Sequence, residues 1–409
     1  MLRFLDAPSG RASCYVAPRF HSDEGETVIP DGAIVVEWGK TRWVCLVEVK
    51  TGSSQLEAQQ LERYLRVAAR EGFNALLSIS NQIVATPSDH PVAVRKPLLR
   101  KVDLRHVSWF RIFTEAVVEH EHRGVRDREQ AKVLDDLIAF LDDERSGAGG
   151  YGGMGAAWVP VREAASKGLL SPATAGIAEV AADWGQCLQY LGLRLRQDLG
   201  RPVSPVLPRG SDARSRVSHD AKTLGSEGRL EGSLKVPDAI APIVVEADLG
   251  KLRLTTRLRV QAPREGKPKT RINWLLRQLP EAPADLRVEV HYPYAQLTPR
   301  AAIGEARANL DLLLLPTDAK RAPAAFDLAL TRPMGVKRGK APGSFVAETV
   351  RQVHEFYGSV VQQIRVQRAV KPPRLSQDSK EEERPLSAGA EPGALAEAAV
   401  PGGEPSTAD

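Results

Sequence analysis

Two runs rich in apolar residues near the start of the chain predict a β-hairpin. They cover residues 29–38 and 41–49, and Gly39 opens the two-residue gap between them. Glycine at the first central position of so short a loop suits a type II′ turn. Such a turn pairs Trp38 with Thr41 and fixes the pairing of all residues further out.

This register predicts one apolar face and one charged face. Asp31 comes to lie opposite Glu48 on the same face, and Lys50 shares that face because it follows Glu48 by two residues. The uninterrupted apolar run before Glu48 is typical of a central, buried strand. The other face holds residues suited to a core, paired as Gly32 with Val47, Ile34 with Cys45, and Val36 with Trp43.

The segment after the hairpin predicts a helix and further strands. Residues 55–70 are good helix formers with leucines along one side, and Gly72 stands where a C-terminal cap belongs. Strands are expected at 73–80 and 107–110, and an acidic helix-like stretch at 127–145 follows. Together these elements predict an α/β domain.

Composition divides the rest of the chain into linkers and folded segments. Glycine-rich and polar stretches predict the linkers, and periodic apolar residues predict the folded parts. The predicted order is an α/β domain at 1–145, a Gly-rich linker at 146–157, a helical segment at 158–200, a second linker at 201–232, an α+β accessory domain at 233–368 and a disordered tail at 369–409.

The accessory domain contains a basic stretch. Odd sequence numbers place three of its arginines on one face of a predicted strand; they are Arg253, Arg257 and Arg259. These side chains would either follow a nucleic-acid backbone or belong to a solvated face whose acidic residues come from other elements. In this domain strands are expected at 243–246, 252–260, 286–292, 310–315 and 326–331, and a helix at 344–367.

Length, composition and charge narrow the class of protein. The 409 residues suggest two or three domains, and 42% hydrophobic with 26% charged residues excludes a wholly disordered or membrane-embedded chain. No apolar run reaches the roughly 18 residues that a membrane span needs, so a cytoplasmic protein without a membrane partner is expected.

Three scattered cysteines build no CxxC zinc site, so a bound metal would take oxygen ligands. The net charge of +5 permits a polyanionic partner without requiring one.

Asp31, Glu48 and Lys50 carry the candidate chemistry. Two facing carboxylates at the end of a buried strand repel each other and are costly to desolvate unless a cation compensates. Hard oxygen ligands of this kind favour Mg²⁺ or Mn²⁺. A lysine beside them can supply positive charge to a phosphate or to an attacking water.

Residues of the hairpin and of the following helix together resemble a nuclease signature. They are Pro30, Asp31, Glu48, Val49 and Lys50 in the hairpin and Gln60 and Tyr64 on the helix. The hairpin residues resemble the PD-(D/E)XK motif of the restriction-endonuclease-like nucleases, and the helix residues resemble the QxxxY element of RecB-type members. The resemblance implies an α/β restriction-endonuclease-like N-terminal domain, a mixed sheet flanked by helices, with a C-terminal α+β domain attached.

The resemblance also implies a role for each matched residue. Asp31 and Glu48 would ligate Mg²⁺ or Mn²⁺ together with the backbone carbonyl of Val49. Lys50 would orient the attacking water and stabilise charge on the scissile phosphate.

On the helix, Gln60 would help to order the site, with Tyr64 as its partner in the motif. Family members often add an upstream carboxylate, for which Glu26 and Glu24 are the candidates. The implied function is metal-dependent hydrolysis of phosphodiester bonds, with DNA as the expected substrate and RNA left open. The alternative is a catalytically inactive nuclease-fold module that binds nucleic acid or a protein partner. The oligomeric state is left open.

Overall fold

The computed structural model describes residues 2–22, 25–86, 89–207, 213–337, 339 and 341–365, and the predicted tail lies outside them. The strands of this part of the chain are β1 (Arg11–Val16), β2 (Phe20–His21), β3 (Thr27–Val28), β4 (Gly32–Trp38), β5 (Thr41–Val49), β6 (Ala75–Ser80), β7 (Asp103–Ser108), β8 (Ser204–Pro205), β9 (Arg229–Lys235), β10 (Ile243–Asp248), β11 (Arg253–Gln261), β12 (Arg287–His291), β13 (Arg300–Ala302) and β14 (Ala325–Pro333). The α-helices are α1 (Ala58–Arg70), α2 (Trp109–Val118), α3 (Arg128–Asp142), α4 (Trp158–Ser166), α5 (Ile177–Leu199), α6 (Ala213–Glu227), α7 (Pro268–Gln278), α8 (Ile303–Ala308) and α9 (Phe345–Ser359).

The predicted hairpin register is confirmed. Strands β4 and β5 are antiparallel, with Trp38 opposite Thr41 and Gly32 opposite Val47. Gly39 has a φ of 57°, the positive value that the first central residue of a type II′ turn requires. The turn therefore sets which side chains meet across the hairpin.

The hairpin lies within a five-stranded mixed sheet of order β1-β4-β5-β6-β7. Strands β5, β6 and β7 are parallel, whereas β1 and β4 are antiparallel to their neighbours. Helix α1 covers one face, where Leu61 and Leu65 pack with Leu46 and Leu76 of the sheet. The opposite face forms a second apolar cluster with the chain start and α2. A mixed sheet flanked by helices, as predicted, is thus present.

A second, seven-stranded sheet is antiparallel throughout, in the order β13-β12-β14-β11-β10-β9-β8. Its buried face packs against α5, α7 and α9 in the largest apolar cluster of the described chain. Four of the five strands predicted here are present, but the fifth, at 310–315, is wrong because Leu310–Leu313 forms a 3₁₀ turn. The side chain of Asn309 accepts a hydrogen bond from the Asp311 N–H and so starts a helical turn instead of a strand.

Helix α2 is not predicted by the pattern, and it begins within the strand expected at 107–110. The strand expected at 107–110 ends at Ser108, whose hydroxyl caps the helix by accepting from the Arg111 N–H at 3.2 Å. Trp109 and Phe110 therefore belong to the first turn of α2, where Phe110 is buried against α5.

The described parts of both stretches predicted as linkers pack against the rest of the protein. In 146–157, Tyr151 is 4% exposed and its hydroxyl donates to the Asp183 carbonyl at 3.0 Å. The range 201–232 contains all of α6 and the start of β9. Most residues of helix α6 are polar, and Leu224 is its buried apolar side chain. This polar composition explains why the sequence suggested a linker.

Helix α5 joins the two sheets. The predicted apolar periodicity of this segment is confirmed, since Trp184, Leu188 and Leu191 are buried. Near its end, Arg196 pairs with Glu115 of α2 at 2.7 Å. No helix in the described residues is both long and apolar enough to span a membrane.

Candidate active site

The structure brings Asp31, Glu48 and Lys50 together at the end of β5. Asp31 Oδ2 accepts a hydrogen bond from the Val49 N–H at 2.7 Å, and Lys50 Nζ lies 2.7 Å from Glu48 Oε1. Glu48 alternates with Leu46, which packs under α1, so the group occupies the α1 face of the sheet. The hairpin register, confirmed from Gly32 and Val47 to the turn, brings the segments that carry these residues to the same end of the sheet.

Glu48 is a buried carboxylate with an incomplete set of partners. Its side chain is 2% exposed, and within the described residues Oε2 has no hydrogen-bond partner. Burial raises the pKa of Glu48, the hydrogen bond from Lys50 opposes that change, and the nearby charge of Asp31 adds to it. An unsatisfied buried oxygen is costly, and a cation is the usual compensation.

Gln60 and Tyr64 approach the same end of the sheet from α1. Gln60 Nε2 donates to the Tyr64 hydroxyl at 3.1 Å, and that hydroxyl donates to the Ile29 carbonyl at 3.2 Å. The chain just before Asp31 is thereby tied to α1. The same hydroxyl faces Glu48, and its interaction with that carboxylate lowers the pKa of Glu48 and raises the pKa of Tyr64.

Tyr64 also stays protonated near neutral pH. Burial raises its pKa to about 12, the hydrogen bond from Gln60 lowers it, and the charge of Glu48 raises it further. The hydroxyl is therefore a hydrogen-bond donor and not a base.

The backbone around Lys50 is held by two further contacts. Its N–H donates to the Ile79 carbonyl at 2.8 Å, and its carbonyl accepts from the indole Nε1 of Trp109 at 2.9 Å. Trp109 therefore contacts the strand end through its ring nitrogen. Its contact fixes the strand end from which the Lys50 side chain extends.

Of the two candidates for an additional carboxylate ligand, the structure describes only Glu26. Glu26 is exposed in the turn between β2 and β3, where its N–H donates to Ser22 Oγ at 3.0 Å. Glu24 lies outside the described residues. Within those residues, no three His, Cys, Asp or Glu side chains are grouped closely enough to hold a metal ion.

The donor set nevertheless suits a hard divalent cation. Mg²⁺ commonly binds through one or two carboxylates and retains several waters, so Asp31 and Glu48 satisfy its needs without a third acidic side chain. Asp31 is exposed, which leaves the group open to solvent. The unsatisfied Oε2 of Glu48 is the feature of this structure that such an ion would complete.

A polar row that the sequence analysis missed extends sideways from Glu48. Ser78 is its neighbour on β6, and His106 is the neighbour of Ser78 on β7. Ser78 Oγ lies 2.8 Å from His90 Nε2 and 2.9 Å from His106 Nδ1. Burial lowers the pKa of His106 to about 4 and also lowers that of His90, so both rings are neutral near pH 7.

The signal for this row was present in the sequence. Strand β6 reads ALLSIS, in which Ser78 and Ser80 occupy alternate positions of an otherwise apolar strand. Both serines are buried. Only the pairing of β6 with β5 shows that Ser78 stands beside Glu48.

The three arginines of β11 share the solvent face, as predicted. Arg257 pairs with Glu231, and Arg259 Nε lies 3.7 Å from Asp327 Oδ1. Asp327 lies on β14, the neighbour of β11, whereas Glu231 lies on β9, which β10 separates from β11. This arrangement favours the interpretation as a solvated sheet face over a row of free phosphate contacts.

Comparison of the chain with protein-family models, curated proteins and solved structures finds no match.

Proposed function

We propose that this protein is a metal-dependent nuclease of the PD-(D/E)XK type that hydrolyses phosphodiester bonds in DNA. The observation that carries the proposal is the buried Glu48, which faces Asp31 and Lys50 and keeps one oxygen unsatisfied. A structural carboxylate with no function would be expected to have its oxygens satisfied. The mixed sheet and its flanking helices, together with the hydrogen-bonded Gln60 and Tyr64, support a restriction-endonuclease-like domain.

Each residue then has a role in the reaction. Asp31 and Glu48, with the Val49 carbonyl, would hold Mg²⁺ or Mn²⁺, which supplies positive charge and an activated water when bound. The Lys50 ammonium, partly exposed beside Glu48, would hold the attacking water and offset charge on the phosphate oxygens. Gln60 and Tyr64 would keep the segment that carries Asp31 in place.

One observation favours a non-catalytic alternative. Lys50 is engaged with Glu48, and Asp31 is engaged with the Val49 N–H, so the polar groups partly satisfy one another. A nuclease-fold module that binds nucleic acid or a protein without cleaving it could keep these polar groups paired with one another and would not require a bound metal ion. Cleavage assays separate the two functions.

The test is incubation of the purified chain with supercoiled plasmid, linear duplex, single-stranded DNA and RNA, with Mg²⁺, with Mn²⁺ or with EDTA. Cleavage that requires the metal and disappears in Lys50→Ala supports the proposal. Lys40→Ala is the matched control, because it removes the same charge from the exposed turn of the same hairpin. Binding without cleavage under all of these conditions would support the alternative, and cleavage by Lys50→Ala at the wild-type rate would overturn the assigned chemistry.

A metal titration followed by thermal unfolding provides a readout that does not depend on activity. Mg²⁺ at about 100 times its dissociation constant stabilises the folded state by about 2.7 kcal/mol. We expect the wild-type Tm to rise with Mg²⁺ and the Tm of an Asp31→Asn, Glu48→Gln double variant to stay constant.

A further inference from the structure

Helix α3 exposes an unusual amount of apolar surface. Leu141 is the one buried side chain of this helix. Val133, Leu137 and Phe140 are 67%, 38% and 58% exposed. Their spacing of four and three residues places them on one side of the helix, and we call them the α3 stripe.

The stripe does not face the body of the protein. The partly or fully covered residues of the helix lie to one side of the stripe; they are Ala131, Leu134, Ile138 and Leu141. Helices of about 15 residues are marginal by themselves and depend on packing of their apolar face. Large apolar side chains left exposed together on such a helix indicate an interaction surface.

One edge of the stripe is acidic. Glu129 and Asp136 are seven residues apart on α3, so they lie along the same side of the stripe. Asp143, which directly follows the helix, continues this spacing in the sequence and pairs with Arg145 at 2.7 Å. The chain around it is also acidic, with ten Asp or Glu against five Lys or Arg between residues 115 and 145, although the whole chain carries a net charge of +5. Negative charge of this kind repels nucleic-acid phosphates and attracts a basic surface.

The acidic edge also disfavours a second copy of this chain as the occupant. In an antiparallel two-fold pair of α3 helices, like edges meet, so Glu129 and Asp136 of one copy would lie along the same edge as those of the other copy. Like charges across an interface oppose association. A partner with the opposite charge avoids this repulsion.

We propose that the α3 stripe is a docking surface for an amphipathic helix of a protein partner, whose apolar face is flanked by lysine or arginine. The stripe supplies apolar anchors at helical spacing, and the acidic edge fixes the orientation of the partner helix. This surface is independent of the candidate active site and does not require nuclease activity.

Two synthetic amphipathic peptides test the proposal. Both have leucines along one helix face, and the remaining positions are lysine in one peptide and glutamate in the other. Fluorescence anisotropy with the full chain at about 0.1 M salt measures their binding. We expect the lysine peptide to bind the wild-type chain and the glutamate peptide not to bind.

Two variants locate the binding surface. Leu137→Asp is expected to weaken binding of the lysine peptide at least about tenfold. The matched control is Leu169→Asp, which places the same charge at another exposed leucine (71% exposed) and should leave the affinity unchanged. The triple variant Glu129→Lys, Asp136→Lys, Asp143→Lys should reverse the preference, so that the glutamate peptide binds instead. Circular dichroism verifies that each variant is folded.

Several results would overturn the proposal. They are equal binding of both peptides, no binding of the lysine peptide, an equal loss of binding in Leu137→Asp and Leu169→Asp, or no reversal in the triple variant. A wild-type dimer that Leu137→Asp converts to a monomer in sedimentation analysis would identify a second copy as the occupant. Duplex DNA binding that is lost in Leu137→Asp would identify nucleic acid instead.

Discussion

Lys50 Nζ and Glu48 Oε1 lie 2.7 Å apart, two residues from each other on the same face of β5. The ammonium group of Lys50 is thus the partner of one oxygen of this buried carboxylate, whereas the other oxygen has no hydrogen-bond partner among the described residues. The pair therefore offsets only part of the cost of burying Glu48. This incomplete compensation, beside a second carboxylate at Asp31, distinguishes the site from a structural ion pair.

Replacement of Glu48 by its neutral isostere should stabilise the metal-free protein and abolish metal-dependent cleavage. Glu48→Gln removes a charge that burial and Asp31 both disfavour, and the partly exposed Lys50 can turn to solvent, so we expect the free energy of unfolding to rise. Denaturant unfolding in EDTA at pH 8 measures the change. A variant that is less stable than wild type under these conditions would show that the Lys50 pair more than compensates the buried carboxylate.

Removal of the Tyr64 hydroxyl should destabilise the first sheet. Tyr64→Phe deprives the Ile29 carbonyl of a donor and Gln60 of an acceptor, at a cost of about 1 to 2 kcal/mol. Tyr15→Phe is the matched control, because Tyr15 is 52% exposed on an edge strand and its loss of a hydroxyl should change little. Equal unfolding free energies for the two variants would show that the hydrogen bond from Tyr64 to the Ile29 carbonyl does not stabilise the sheet.

The buried histidine of the polar row should make stability depend on pH. Burial lowers the pKa of His106 to about 4 from an ordinary value of 6.5, so the unfolded chain binds its proton first as the pH falls. This group therefore contributes a loss of stability of up to about 1.4 kcal/mol per pH unit between pH 6.5 and 4.

Substitution of the ring isolates that contribution. Unfolding of His106→Gln should depend on pH less steeply than that of wild type in this window, whatever its absolute stability. The exposed His21 provides the control, and His21→Gln should retain the wild-type slope. Parallel pH profiles for wild type and His106→Gln would contradict a neutral, buried His106.

The arginines of β11 should contribute little to nucleic-acid affinity. Arg257 and Arg259 already pair with Glu231 and Asp327, so neutralisation of Arg253, Arg257 and Arg259 together to Gln should remove about one phosphate contact or fewer from the salt dependence of DNA binding. Anisotropy titrations over a range of salt concentrations give the slope. A loss of about three phosphate contacts from the salt dependence would show that these arginines bind phosphates.

Local patterns along the chain are enough to predict the hairpin and the residues that meet on it. Gly39 sets the turn, the turn sets the register, and a period of two then places Asp31, Glu48 and Lys50 on one face. The next helix followed from local signals as well, because the spacing of Gln60 and Tyr64 is a helical spacing. These relationships depend on residues that are close along the chain or fixed by a tight turn.

Other features depend on contacts between segments that are distant along the chain. Ser78 and His106 come from different strands and meet beside Glu48 only because β5, β6 and β7 pair in parallel register. The acids that pair with Arg257 and Arg259 lie on strands β9 and β14, which no local pattern connects to β11. The glycine-rich segment and α6 pack through a few buried contacts that a polar composition conceals. Their positions follow from contacts between residues distant in sequence, because a local pattern specifies how a segment repeats but not which other segment covers it.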